Sequence, residues 1–147
     1  MIPIQLNEEN IPIVTPSYPQ QKLWQESLDQ FGIDSNQYRP LFARETKFSV
    51  PVDSKFYREP LPLAGVFELI KTNDDEIEIY SIEGLNRIHT LYYHTYRNFL
   101  IEPMGLMEWH FKTSTAIVSN LKLYQLQRPI SSFTVEELKN LILDTIK

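Results

Sequence analysis

Four glycines, Gly32, Gly65, Gly84 and Gly105, are scattered so widely that none lies within ten residues of another. A phosphate cradle needs closely spaced glycines, because only a backbone without Cβ atoms lets successive N–H groups wrap an anion at a helix N-terminus. No glycine here precedes a lysine. A Walker A loop and a dinucleotide fingerprint are therefore both excluded within this sequence. Any nucleotide-driven phosphoryl transfer would need parts that these 147 residues do not contain.

Other chemistries fall away in the same manner. There is no cysteine, so disulfides, thiolate metal sites and a cysteine nucleophile are out, and a reducing cytoplasm is the expected setting. The formal net charge of -5 argues against nucleic-acid and anionic-membrane partners, which need a cationic footprint. No apolar run approaches the length of a bilayer span, and Met1–Asn10 lacks the basic and apolar regions of a signal peptide. Eight Phe, eight Tyr and two Trp are too many for a disordered chain.

The pattern along the chain predicts alternating strands and helices. Ile2–Leu6 and Ile11–Thr15 flank the polar turn Asn7-Glu-Glu-Asn10 and read as a hairpin. Pro16 and Pro19 make the next segment a loop. Gln20–Phe31 reads as a helix stopped by Gly32, with Leu23, Ser27, Leu28 and Phe31 on one face. Residues 33–43 read as loop with one helical turn, and Phe48–Val50 as a short strand before Pro51. Leu63–Lys71 and Ile77–Ile82 read as a second hairpin around Thr72–Glu76. Apolar steps of three and four predict helices over Glu83–Phe99 and Leu106–Leu121. Leu123–Gln127 is a strand ending near Pro129, and Thr134-Val-Glu-Glu137 has capping-box spacing before a last helix. The expected class is mixed α/β, a mixed sheet with helices in a single domain over 1–147. A strand beginning at the second residue suggests a neighbouring strand supplied from elsewhere.

Candidate functional residues are few. His89 and His94 are five apart, about 140° around a helix, so they form no metal pair. His94 as a base lacks a nearby nucleophile in sequence, and the imidazoles read as surface or packing groups. Asp74 and Asp75 read as solvated turn residues, Asp34-Ser-Asn36 as turn or cap chemistry, and Tyr92, Tyr93, Tyr96 and Phe99 as packing aromatics. No catalytic and no metal-ligating residue is assigned. The basic group is more interesting: Lys22 follows the proline loop, and Arg39, Arg44 and Lys47 fall within nine residues beside Tyr38 and Phe42. Such residues suit a phosphate or an acidic peptide. Spacing alone fits a solvated face at least as well.

Three segments in order carry a family resemblance: Thr15-Pro-Ser-Tyr-Pro-Gln-Gln-Lys-Leu-Trp24, Pro60-Leu-Pro-Leu-Ala-Gly-Val-Phe-Glu-Leu69 and Ile88-His-Thr-Leu-Tyr-Tyr-His-Thr-Tyr-Arg97. With Leu123–Pro129 and the last helix, the chain resembles the C-terminal half of HPr serine kinase-like proteins, most of all the subgroup beside lasso-peptide biosynthesis genes. The resemblance implies the C-terminal part of a phosphoenolpyruvate carboxykinase-type P-loop kinase fold. It implies ATP and Mg²⁺ as cofactors of the intact family, and a serine on a carrier protein or peptide precursor as acceptor. The phosphate loop and acidic pair would precede Met1, so the chain alone is expected to be inactive and to need no cofactor. Lys22 and Lys47 match positions that tend to be basic in the family. Two expectations follow. One is a truncated or split kinase-like protein. The other is a non-enzymatic binding module, either self-associating as a homo-oligomer or partnering a separate ATP-binding half.

Overall fold

The structure of the protein, a computed structural model, describes residues 2–41 and 44–147, with backbone alone at residues 44 and 45. It is mixed α/β, with three small three-stranded sheets and four α-helices among the described residues. The chain divides into two compact units, one formed by Met1–Thr15 with Pro60–Lys147, the other by Pro16–Glu59.

The first unit begins with the expected hairpin. Strands β1 (Ile4–Leu6) and β2 (Pro12–Val14) pair antiparallel. Asn7 organises the turn: its Oδ1 accepts from the backbone N–H groups of Glu9 (3.1 Å) and Ile11 (2.7 Å). Asn10 closes it at φ 60°, a conformation asparagine tolerates better than most side chains. β2 also pairs with β6 (Leu61–Pro62), Val14 opposite Leu61, so the chain leaves this unit and re-enters it at adjacent positions.

A second sheet holds β7 (Val66–Thr72), β8 (Glu78–Ser81) and β9 (Leu123–Pro129). The expected hairpin between the first two does not form. β9 lies between them, parallel to β7 and antiparallel to β8. The reason is burial. β9 carries Leu123 and Leu126, each 1% exposed, and a strand that must bury both takes the middle position. Residues 73–77 then have to step across β9, which five residues do easily because neighbouring strands lie ~5 Å apart. Asp74 and Asp75 are exposed there, as read, and the Asp74 N–H donates to Thr72 Oγ1.

Helix α2 (Asn86–His94) is shorter than its apolar pattern suggested. Thr95 turns extended and Arg97 sits at φ 55°, which ends the helix before Phe99. Helix α3 (Met107–Ser119) follows close to expectation. The Arg87 guanidinium donates to the carbonyls of Val118, in the last turn of α3, and Leu121, just beyond it, tying α2 to the end of α3. Ile117, Val118, Leu121 and Leu123 form the buried core, packed by Ile4, Leu6, Val66 and Ile88 among others. The last helix, α4 (Val135–Thr145), buries Leu138, but the capping box is not made: the buried Thr134 Oγ1 has no hydrogen-bond partner among the described residues.

The second unit contains a larger correction. Gln20–Trp24 is strand β3, and only Gln25–Gln30 is helix, α1. β3 pairs along its whole length with β5 (Arg44–Pro51), which places Leu23 opposite Phe48. Five backbone pairings and an apolar contact outweigh helix propensity over so short a segment. The helix stop is as read. Gly32, at φ 65°, donates to Asp29 O, and Ile33 donates to Leu28 O (2.9 Å), the two bonds of a Schellman motif. Ser35–Gln37 forms the anticipated helical turn, capped by Asp34 Oδ1 accepting from Asn36 N–H. β4 (Arg39–Leu41), in the stretch read as loop, completes the sheet in the order β3-β5-β4. Phe42 and Ala43, the end of that stretch, lie outside the described residues. Leu28, Phe48 and Val50 form the core of this unit, with Leu23, Ile33 and Tyr38 against it.

Candidate functional site

In the β3-β5-β4 sheet, side chains alternate between the core and solvent. Leu23, Phe48 and Val50 take the core face. Gln20, Lys22 and Trp24 therefore share the opposite face of β3 with Lys47 and Ser49 of β5. Register aligns Lys22, Ser49 and Arg39 in one row across the three strands, and Trp24 with Lys47 in the next. Three of the four basic residues singled out in the sequence thus meet on one solvent-facing surface. Arg44 pairs with Leu41 beyond a register shift, and its side chain is not among those described.

The surface is partly held in place. The Lys47 ammonium lies 4.5 Å from the centre of the Trp24 ring, and the Lys22 ammonium 6.0 Å from that of Tyr18. Both are within cation–π range, which restrains two otherwise mobile side chains. Ser49 Oγ donates to Gln20 Oε1 at 2.9 Å, leaving its oxygen free to accept. Among the described residues, Lys22, Arg39 and Lys47 make no carboxylate ion pair. Charge is also unevenly divided. Residues 16–59 carry six Lys or Arg and six Asp or Glu, so the net -5 belongs to the other unit. Two ammonium groups, a guanidinium and a hydroxyl on one face can hold an anion. They supply no general base.

Sequence reasoning missed a second constellation, in the first unit. Glu68 of β7, Gln125 of β9 and Tyr80 of β8 occupy one row across the sheet. They floor a cleft of about 490 Å³ whose opposite wall is α2, through Asn86, His89 and Tyr93. Glu68 Oε1 is 2.9 Å from His94 Nε2, and Glu68 Oε2 accepts from Gln125 Nε2 at 3.1 Å. The bond from His94 and then that from Gln125 hold the Glu68 carboxyl below its usual range, against the opposing effect of burial. Gln125 is itself oriented, because its Oε1 accepts from Gln127 Nε2. Glu68 and His94 are twenty-six positions apart in the chain. No local spacing signals their meeting, although the lone carboxylate inside an apolar strand was a visible anomaly.

His110 is buried between α2 and α3. Thr95 Oγ1 gives its only proton to Leu91 O (2.7 Å), so His110 Nε2 must donate to Thr95 (2.9 Å) and carry the ring proton. Burial holds this imidazole below its ordinary pKa. It is a packing group, in keeping with its sequence reading. Among the described residues no cluster of three or more His, Asp or Glu side chains is arranged to hold a metal, and no helix is long and apolar enough to cross a membrane.

No family model, curated protein or solved structure matches this chain.

Proposed function

We propose that the chain is a binding module of the HPr serine kinase-like type, corresponding to the C-terminal part of that P-loop kinase fold and without phosphotransferase activity of its own. Its basic sheet face would take an acidic, serine-bearing peptide. The observation that carries this reading is the register that gathers Lys22, Arg39 and Lys47 around Ser49. Four scattered glycines provide no P-loop to cradle ATP within this sequence. In a split or truncated kinase, a separate ATP-binding half would supply that machinery with ATP and Mg²⁺, and this face would present the acceptor peptide.

The test uses Trp24, whose ring lies under Lys47, as the reporter. In a Trp109→Phe background, an acidic serine peptide should perturb Trp24 fluorescence, while its Asn/Gln counterpart should not. Lys22→Ala with Arg39→Ala should weaken binding about tenfold, or ~1.4 kcal/mol for two exposed charge pairs. Binding should also fall with added salt. Equal binding of the neutral peptide would remove the acidic-peptide reading. Incubation with ATP and Mg²⁺ should leave the peptide serine unmodified, and turnover by the chain alone would overturn the assignment.

A further inference from the structure

The cleft over β7, β9 and β8 has a charge and shape of its own, independent of the basic face. At about 490 Å³ it falls within the ~300–1,000 Å³ typical of small-molecule sites. Among the described residues its formally charged lining groups are Glu68 and Glu83, with His89 as the one imidazole and no Lys or Arg. The unit around it carries the whole net negative charge of the chain. The wall is aromatic, with His89 packed edge-on to Tyr93 at 4.4 Å between centroids and Tyr80 on the floor.

Glu68 is the centre of this arrangement. His94 and Gln125 each occupy one side of its carboxylate, one bond to each oxygen. A carboxylate has about four acceptor positions, so each oxygen retains one more. The Gln127–Gln125–Glu68 relay fixes the group before any ligand arrives. A preorganised carboxylate beside aromatic rings, in a cleft whose basic groups are imidazoles rather than Lys or Arg, matches a planar or compact organic cation. The carboxylate provides paired acceptors and the rings provide a π face.

We infer that this cleft is a binding site for a guanidinium or alkylammonium group, with Glu68 as the charged acceptor and Tyr93 as the aromatic wall. An anionic ligand would face two carboxylates there. A purely apolar one would leave the Glu68 positions and the Asn86 amide unpaired, a cost set by their desolvation. The same chemistry can come from a free amine or from an arginine side chain on a peptide.

The experiment titrates the full chain with agmatine and with Nα-acetyl-arginine amide, following side-chain NMR signals of Gln125, His89 and Tyr93 and the heat of binding. Nα-acetyl-citrulline amide is the control, having the shape of the arginine probe without its charge. The inference expects saturable shifts confined to the cleft with at least one cationic probe, and none with citrulline. Preference for agmatine identifies a free amine, and preference for the arginine amide a peptide side chain. Glu68→Gln should weaken binding at least tenfold. Because that change touches a half-buried hydrogen-bonded group, Tyr93→Ala is the second variant. Tyr93 is exposed and its loss spares the core, and it too should weaken binding severalfold. Citrulline binding as well as arginine, full affinity in Glu68→Gln, or no shifts with either cation at millimolar concentration would each overturn the inference.

Discussion

Replacing Leu126 by alanine should be far more damaging than the same change at Leu69, although the two are neighbours in one cross-strand row. Leu69 and Ile79 flank Leu126 on β7 and β8. Leu126 is 1% exposed and Leu69 is 55% exposed. Leu→Ala removes three carbons. At ~0.8 kcal/mol per buried methylene the transfer loss is about 2.4 kcal/mol for Leu126, and the cavity left behind brings it to ~3–4 kcal/mol. At Leu69 less than half of the transfer loss applies and solvent fills the gap, so about 1 kcal/mol is expected. For a chain of this size the first corresponds to a fall in Tm of roughly 6–16 °C and the second to roughly 2–4 °C. The two tryptophans lie one in each unit, Trp24 and Trp109, so urea unfolding of Trp24→Phe variants reads the first unit through Trp109. Far-UV circular dichroism on the same samples checks for a single transition. The asymmetry depends on β9 being the central strand. If Leu69→Ala proves as costly as Leu126→Ala, β7 is no more of an edge than β9 and the strand order is wrong.

Two further outcomes follow from buried polar groups. His110 is held neutral by burial, so its folded pKa is below the unfolded value of about 6.5. Its contribution is fully present above that unfolded value and is lost as pH falls from there through the folded value. Thermal melts should therefore weaken as the pH falls below about 6.5, and His110→Gln should flatten that part of the profile. A wild-type slope that survives the substitution would place the titrating group elsewhere. Thr134→Val should be neutral or stabilise by up to ~1 kcal/mol, because the buried hydroxyl has no partner to lose. A working cap would instead cost about 1 kcal/mol on the same change, so a destabilised melt would restore the capping box.

The features legible in the sequence share a short range. The Asn7–Asn10 turn, the stop at Gly32, the Asp34 cap and helix α3 are each decided by groups within a few residues of one another. The exclusion of an internal phosphate loop has the same basis, since it requires glycines adjacent in the chain. The local readings that failed were overruled at a distance. Gln20–Trp24 reads as the start of the helix over Gln20–Phe31 but gains a full ladder from residues 47–51. Strands β7 and β8 have a suitable turn between them, yet β9, which carries the fully buried Leu123 and Leu126, separates them.

The sites divide along the same line. Residue type alone brought Lys22, Arg39, Arg44 and Lys47 forward as an anion-binding group, but their spacing favoured a solvated face. Strand register, set by the burial of Leu23, Phe48 and Val50 on the opposite side, is what aligned three of them. Of the Glu68 cleft only the lone carboxylate in an apolar strand was legible. Its row is assembled from three strands and its wall from α2, so it exists only after β9 has taken the centre of its sheet. By itself the sequence determined which chemistries are missing and where the chain turns. Only the tertiary structure decided which side chains meet, because strand pairing is settled by competition for burial between segments far apart in the chain.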